Sequence, residues 1–146
     1  MTKDVRISPV RPELVDVVWP AASKMLELAT DTSGGKFSIE GVYKAVINGE
    51  LVLWMILEDG APVAFYTTRL VEYPNLRAMA MDWVGGSGLS SWRNEALDAM
   101  EKHARANNCQ HLEGFGRAAW GRVLKRRHER RGVRAFHGLT HRWRLW

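Results

Sequence analysis

Three glycines and a serine lie together where an apolar run gives way to a helical pattern. The segment is Gly85-Gly86-Ser87-Gly88, and Trp92, Ala96 and Met100 follow it at helical spacing. A glycine-rich turn that opens a helix lets backbone N–H groups approach an anion, and the helix N-terminus adds about half a positive charge. A Cβ at such a turn would hold a phosphate away from the backbone. The pattern predicts an anion site, although the same residues also suit an ordinary turn.

The turn does not match either of the common phosphate-binding motifs of nucleotide-binding proteins. A P-loop ends in Gly-Lys-Ser/Thr, which is absent from this segment. The dinucleotide fingerprint belongs to a βαβ unit, whereas this turn follows strands in meander order. The sequence therefore excludes both classes of site at this position.

The strands that lead to the turn can be predicted from apolar runs and turn residues. Glu50–Glu58 and Ala61–Glu72 are strand-like runs separated by Asp59-Gly60. An Asp-Gly pair between apolar runs favours a hairpin because both turn residues need positive φ. A second turn at Tyr73-Pro74-Asn75 leads into a third strand at Arg77–Val84. The three strands form a meander.

The remaining elements alternate between helices and strands. Ser38 has the position of an N-cap for a helix that Asn48-Gly49 ends, and Pro20 is expected to break or kink an earlier helix near Trp19. The sequence thus predicts a mixed α/β fold in a single domain over residues 1–146. The other predicted elements are a strand at Val5–Ser8, a strand at Cys109–Gly114, a basic helix from Trp120, and a hairpin of Val133–Gly138 and Thr140–Leu145.

The element order and the glycine turn together resemble the GCN5-related N-acetyltransferase (GNAT) superfamily. That family binds the acyl-CoA pyrophosphate with Gln/Arg-x-x-Gly-x-Gly/Ala at this point. Gly86 and Gly88 match the motif, and Trp83 replaces its polar first residue. Arg130-Arg131-Gly132-Val133 is similar to the end of the family's basic helix. The resemblance implies a GNAT-like α/β fold, a mostly antiparallel central sheet with helices on both faces.

The resemblance also implies acetyl-CoA as the cofactor. In the family, backbone groups of the strand before the turn bind the pantetheine arm, and the turn binds the pyrophosphate. The cofactor-binding residues that this implies are Met81, Asp82, Trp83, Val84, Gly85, Gly86, Ser87, Gly88, Leu89 and Ser90.

Acetyl transfer further needs a base for the amine and an acid for the leaving thiolate. Asp82 and Glu113 are the candidate bases, each acting through a water if burial raises its pKa. Both also suit ordinary strand carboxylates that face solvent or pair with an arginine. The family's acid is a Tyr four residues before a Gly-Phe pair, and His128 occupies that position. An imidazolium can donate a proton near neutral pH, but His128 equally suits a surface helix.

The last part of the chain is strongly basic. From residue 115 to residue 146, ten Lys and Arg stand against Glu129 alone, in a chain of net charge +5. This asymmetry predicts an acidic partner, either a protein or a nucleic acid. A solvated helix face accounts for the same charges without a partner. The residues expected to form the exposed patch are Arg126, Arg127, Arg130 and Arg131.

The chain also resembles small GNAT-like proteins of phages and prophages, the internal virion protein A group among them. Leu53-Trp54 and residues 114–120 carry that similarity. It implies either an N-acetyltransferase or a non-catalytic component that assembles with other virion proteins.

The sequence predicts no disulfide, no membrane-spanning segment and no metal site. Cys109 is the single cysteine, so no internal disulfide is predicted. The longest apolar run, residues 51–57, is too short to cross a membrane, so no membrane partner is expected. The resemblance to phage proteins implies a location in the host cytoplasm or in a virion. His137 and His141 have no third ligand nearby, so no metal site is predicted.

Overall fold

The computed structural model describes residues 4–31, 37–115, 135–137 and 142–145 of the 146-residue chain. Its elements are β1 (Val5–Pro9), a short 3-10 helix (Pro12–Leu14), α1 (Val15–Asp31), α2 (Ile39–Ile47), β2 (Val52–Glu58), β3 (Ala61–Glu72), β4 (Arg77–Gly86), α3 (Leu89–Ala106), β5 (His111–Phe115), β6 (Ala135–His137) and β7 (Arg142–Leu145). The predicted mixed α/β fold with a mostly antiparallel sheet is confirmed.

The chain divides into two compact units. Unit 1 holds residues 1–69 and 83–99, and unit 2 holds residues 70–82 and 100–146. The strands β3 and β4 and the helix α3 contribute residues to both units. A single domain over residues 1–146 stays a prediction.

Unit 1 is built on a meander of strands. β1 pairs with β2 and β2 with β3, both antiparallel, and β4 is the next strand in the order. Asp59 (φ 51°) and Gly60 (φ 83°) form the turn between β2 and β3. Both lie in the left-handed region that this type of turn requires, so the hairpin predicted from the Asp-Gly pair is confirmed.

The apolar core of unit 1 lies between the first two helices and the meander. Apolar side chains recur at helical spacing in α1 and α2, which gives each helix one buried face. Successive side chains of a strand point to opposite faces, so the strands offer one face to this core. The buried residues of the cluster are Val15, Ala22, Leu26, Val42, Val46, Leu51, Leu53 and Phe65.

Pro20 does not break its helix, which corrects the first alternative predicted for it. α1 runs without interruption from Val15 to Asp31. Pro20 lies beyond the first turn of α1 and lacks the backbone N–H that would pair with the Asp16 carbonyl, so it removes one helical hydrogen bond. Buried Val15 on one side of the proline and Ala22 and Leu26 on the other anchor both parts of the helix to the same core. Tertiary packing therefore outweighs the local preference.

The N-cap of α2 is confirmed. The Ser38 side chain accepts a hydrogen bond from the Gly41 N–H at 3.1 Å, and the helix ends at Ile47 with Asn48 as its C-cap. The cap satisfies one of the N–H groups that a helix start leaves without a partner.

Unit 2 holds the end of β3, the start of β4, and β5, β7 and β6 in that strand order. β4 and β5 are parallel, with Ala78 paired to His111 and Met81 to Gly114. β7 is antiparallel to both β5 and β6. The antiparallel pair β6–β7 confirms the predicted closing hairpin.

Candidate functional site

The turn between β4 and α3 is shorter than the sequence predicted. β4 continues through Gly85 and Gly86, and α3 begins at Leu89, which leaves Ser87 and Gly88 between them. The Ser87 N–H donates to the Val63 carbonyl at 2.9 Å. Strand pairing thus continues beyond Val84, where the sequence placed the end of the strand. Because its N–H is already paired, Ser87 does not offer that donor to a ligand.

Gly85 and Gly86 are explained by packing within unit 1. A Cβ on Gly85 would lie 1.8 Å from the Met25 carbonyl oxygen, so β4 touches the backbone of α1 at this residue. A Cβ on Gly86 would lie 2.3 Å from the Val63 carbonyl oxygen, and its φ of +131° also favours glycine. The close approach of protein backbone, rather than of a phosphate, accounts for these two glycines.

Gly88 stands where the turn enters α3, and hydrogen bonds hold the backbone around it. Its φ is +74°, in the left-handed region. The Ser91 N–H donates to the Gly88 carbonyl at 2.8 Å, and the Trp92 indole N–H donates to the Ser87 carbonyl at 2.7 Å. Ser87 and Gly88 are exposed. The first N–H groups of a helix have no acceptor within the helix, so this fixed, accessible turn can receive an anion.

Trp83 makes apolar contacts where the GNAT motif has a polar residue. It is partly buried against the core of unit 1, and its ring meets that of Phe37 edge-on with 5.0 Å between centroids. The residue therefore acts in packing, and the polar group that the motif has at this position is absent.

Glu58 brings a carboxylate to the turn that sequence reasoning missed. The Ser91 hydroxyl donates a hydrogen bond to Glu58 Oε1. The same oxygen lies 3.3 Å from the place that a Cβ on Gly88 would occupy. Glu58 is the last residue of β2 and stands 33 positions before Ser91. No local pattern links residues so far apart; only the hairpin register brings the end of β2 to this point.

Glu113, one of the two candidate bases, is buried in unit 2. The residue is 7% exposed, and the Tyr73 hydroxyl donates to Glu113 Oε1 at 2.5 Å. It does not face solvent, which removes that alternative. Tyr73 is 40 positions away and was missed because it lies in the loop after β3, with no spacing that relates it to Glu113.

Asp82, the other candidate base, lies on the same face of the β4–β5 pair as Glu113. The parallel register places Ala80 beside Glu113. Side chains two residues apart on a strand share a face, so Asp82 and Glu113 do too. Asp82 is half-buried. Unit 2 thus brings both predicted carboxylates to one strand pair.

Other predicted residues lie outside the part of the chain that the structure describes. His128, His141 and the arginines of the basic patch (Arg126, Arg127, Arg130 and Arg131) fall there. Across residues 4–31, 37–115 and the two short strands that follow, no set of three His, Cys, Asp or Glu side chains is arranged to hold a metal ion. None of the helices in those segments has the length and apolar character that a membrane span needs.

A groove of about 580 Å³ lies between α1 and α2 in unit 1. The rings of Trp19 and Tyr43 line it, with 5.1 Å between their centroids. The Tyr43 hydroxyl donates to Asp16 at 2.5 Å, and this hydrogen bond raises the pKa of the phenol. Asp16 and Glu40 outnumber Lys44 among its charged residues. Aromatic faces and carboxylates favour cations, so the groove does not suit the phosphates of a nucleotide.

Comparison with solved structures finds the same fold in acetyltransferases. A probable acetyltransferase is 16% identical with a TM-score of 0.64, covering 88% of this chain and 89% of its own. A predicted acetyltransferase with acetyl-CoA from Clostridium acetobutylicum is 12% identical with a TM-score of 0.61, covering 85% and 88%. PaiA N-acetyltransferase from Thermoplasma acidophilum, in complex with coenzyme A, is 10% identical with a TM-score of 0.57, covering 97% of each chain.

No family model and no curated protein matches the sequence. The structural neighbours are GCN5-related N-acetyltransferases, and the chain has their fold. At these identities the likeness defines the fold alone, so activity has to be argued from the residues of the site.

Proposed function

We propose that the chain is an acyl-CoA-dependent N-acetyltransferase that holds the cofactor's pyrophosphate at Gly88 and the start of α3. The observation that carries the proposal is the exposed turn, whose backbone is fixed by Val63 and Trp92 directly before a helix N-terminus. The neighbours solved with acetyl-CoA and coenzyme A support this cofactor, since they share the fold.

The residues at the turn fit a phosphate group in part. The N–H groups of Leu89 and Ser90 are the first of α3 and that of Gly88 directly precedes them, and Gly88 has no side chain to obstruct them. The backbone of Met81 to Val84 is the segment that would hold the pantetheine arm. The carboxylate of Glu58 beside Gly88 is the one described feature of the turn that opposes an anion.

When bound, acetyl-CoA would supply an activated acyl thioester. The residues of this chain would then remove a proton from an acceptor amine, directly or through a water. We assign that role to Glu113, because the Tyr73 hydroxyl holds its carboxylate in one orientation. Asp82 on the same strand pair is the second candidate, and His128 remains the proposed acid for the leaving thiolate.

Binding of acetyl-CoA is the direct test. At a ligand concentration 100 times the Kd, acetyl-CoA should stabilise the protein by about 2.7 kcal/mol, measured as a thermal shift and confirmed by calorimetry. No shift at millimolar acetyl-CoA would contradict the proposal.

A matched pair of variants at Gly88 locates the site. Gly88→Asn and Gly88→Asp have nearly the same shape, and both side chains tolerate the left-handed backbone. Both side chains would stand beside the phosphate, so both variants should lose thermal protection, and the Asp variant should lose more because its carboxylate also repels the pyrophosphate. Gly86→Asp is unsuitable for this purpose, since its Cβ would collide with Val63 and unfold the strand pair.

The second candidate is a GNAT-fold protein without the chemistry, acting as a phage virion or interaction component. Glu58 at the turn and the apolar packing of Trp83 favour it, since neither suits the binding of a phosphate. The phage origin and the acidic partner of Arg126, Arg127, Arg130 and Arg131 rest on the sequence alone. A folded protein that fails to bind acetyl-CoA, encoded among phage structural genes, would favour this candidate.

A further inference from the structure

The N-terminus of α3 already has an anion beside it. Gly88 directly precedes the first helical residue and has no side chain that could act as a cap. The carboxylate of Glu58 lies next to it instead, 3.3 Å from the position of a Cβ on Gly88 and bonded by the hydroxyl of Ser91 in the first turn. A carboxylate so placed is stabilised by the same helix end that would attract a phosphate.

The alternation of side chains along β2 explains why the carboxylate of Glu58 lies beside the N-terminus of α3. Trp54, Ile56 and Glu58 alternate along one face of the strand, and Trp54 and Ile56 are buried. Glu58 is the last residue on this face, next to the β2–β3 turn, and it is only partly buried. Its half-buried carboxylate lies at the edge of the core, where Ser91 holds it beside the turn.

We propose that Glu58 competes with the cofactor's phosphate groups for the N-terminus of α3, so that acyl-CoA binds only when this carboxylate is displaced or its repulsion is overcome. The inference rests on the proposed function, because it takes the turn to be the phosphate site. Two like charges within a few ångströms disfavour each other strongly near a low-dielectric surface. Glu58 would then set the affinity for the cofactor while making no favourable contact with it.

The test compares binding of coenzyme A to the wild type, Glu58→Gln and Glu50→Gln by calorimetry. Gln keeps the length of the Glu58 side chain and can still accept the Ser91 hydrogen bond. Glu50 is exposed in the same unit, so Glu50→Gln removes the same charge away from the turn. We expect Glu58→Gln to bind coenzyme A about tenfold more tightly, equivalent to about 1.4 kcal/mol, and Glu50→Gln to match the wild type.

Pantetheine is the matched control ligand, because it has the arm of coenzyme A without any phosphate. Its affinity should be the same for all three proteins. A gain for pantetheine equal to that for coenzyme A would overturn the proposal, since the effect would then not be on the phosphates.

The remaining outcomes separate this inference from the proposed function. If the wild type and Glu58→Gln bind coenzyme A equally, or Glu58→Gln binds it less tightly, the competition is wrong and the cofactor site stands. If only Glu58→Gln binds, the competition at the turn is supported, and the wild type fails the test of the proposed function. If neither binds at millimolar coenzyme A while both unfold cooperatively on heating, both are wrong.

Discussion

Glu58 and Glu113 are two strand carboxylates that each accept a hydrogen bond from a hydroxyl, yet their surroundings differ. Glu58 in unit 1 is half-buried beside the N-terminus of α3 and accepts a hydrogen bond from Ser91. Glu113 in unit 2 is buried within a strand and is bonded by Tyr73. An accessible carboxylate at a helix end can be exchanged for another anion, whereas a buried one cannot. The same residue type thus suits a competitor in one place and a fixed base in the other.

The strand that leads to the turn beside Glu58 packs against the backbone of α1 at Gly85. Disrupting this contact should have the largest effect on the free energy of unfolding. Gly85→Ala would place a Cβ 1.8 Å from the Met25 carbonyl, so we expect a loss of about 4 kcal/mol in the free energy of unfolding, or failure to fold. Gly41→Ala is the matched control, because its Cβ meets only Ser38 Oγ at 3.4 Å. Gly41 lies in the first turn of α2, so that variant should change the free energy of unfolding by less than about 1 kcal/mol. Urea unfolding measures both, and an equal change would refute the packing role of Gly85.

The next effect concerns catalysis at the buried carboxylate. If Glu113 is the base, Glu113→Gln should lower kcat about 10²–10⁴-fold in an acetyl-transfer assay, while the affinity for acetyl-CoA stays unchanged. Asp82→Asn is the comparison, since that residue lies on the same face of the strand pair. A larger fall with Asp82→Asn would move the role of the base to Asp82.

Removing the two hydroxyls compares the carboxylates directly by stability. Tyr73→Phe takes a donor from a buried carboxylate and should cost about 1–3 kcal/mol. Ser91→Ala takes one from a half-buried carboxylate that water can reach, so we expect a loss of about 0.5 kcal/mol. Equal losses, measured by denaturant unfolding, would show that the difference in burial between Glu58 and Glu113 has no energetic consequence.

Local patterns predicted much of the fold, and long-range contacts explain what was missed. The Asp59-Gly60 hairpin and the Ser38 cap depend on residues within a few positions of each other, so the sequence contains the whole cause. Pro20 was judged by the same local rules and stays helical because the core anchors α1 on both sides of it.

The candidate site also combines features with a local cause and features that depend on long-range contacts. The position of the glycine turn follows from its composition, although the reason for Gly85 is a helix some 60 residues earlier in the chain. The partners Ser91 and Tyr73 stand 33 and 40 positions from their carboxylates. Sheet register decides such pairs, and no spacing in a single sequence encodes that register.

The smallest expected effect is a loss of stability in mildly acidic solution that His103 causes. Removing this loss allows the two carboxylates to be compared at lower pH. Burial lowers the pKa of His103, in the last turn of α3, below its usual value near 6.5. The folded state therefore binds this proton less readily than the unfolded state, and stability falls as the pH drops through about 6.5. This loss precedes and overlaps the range in which carboxylates take up protons. We expect His103→Gln to flatten the decrease of Tm between pH 7.5 and 5.5, while Lys102→Gln, an exposed loss of charge on the same helix, leaves the wild-type slope. If His103→Gln keeps that slope, another group causes it.

If the slope flattens, the acid unfolding that remains below pH 5.5 can be compared between Glu58→Gln and Glu113→Gln in the His103→Gln background.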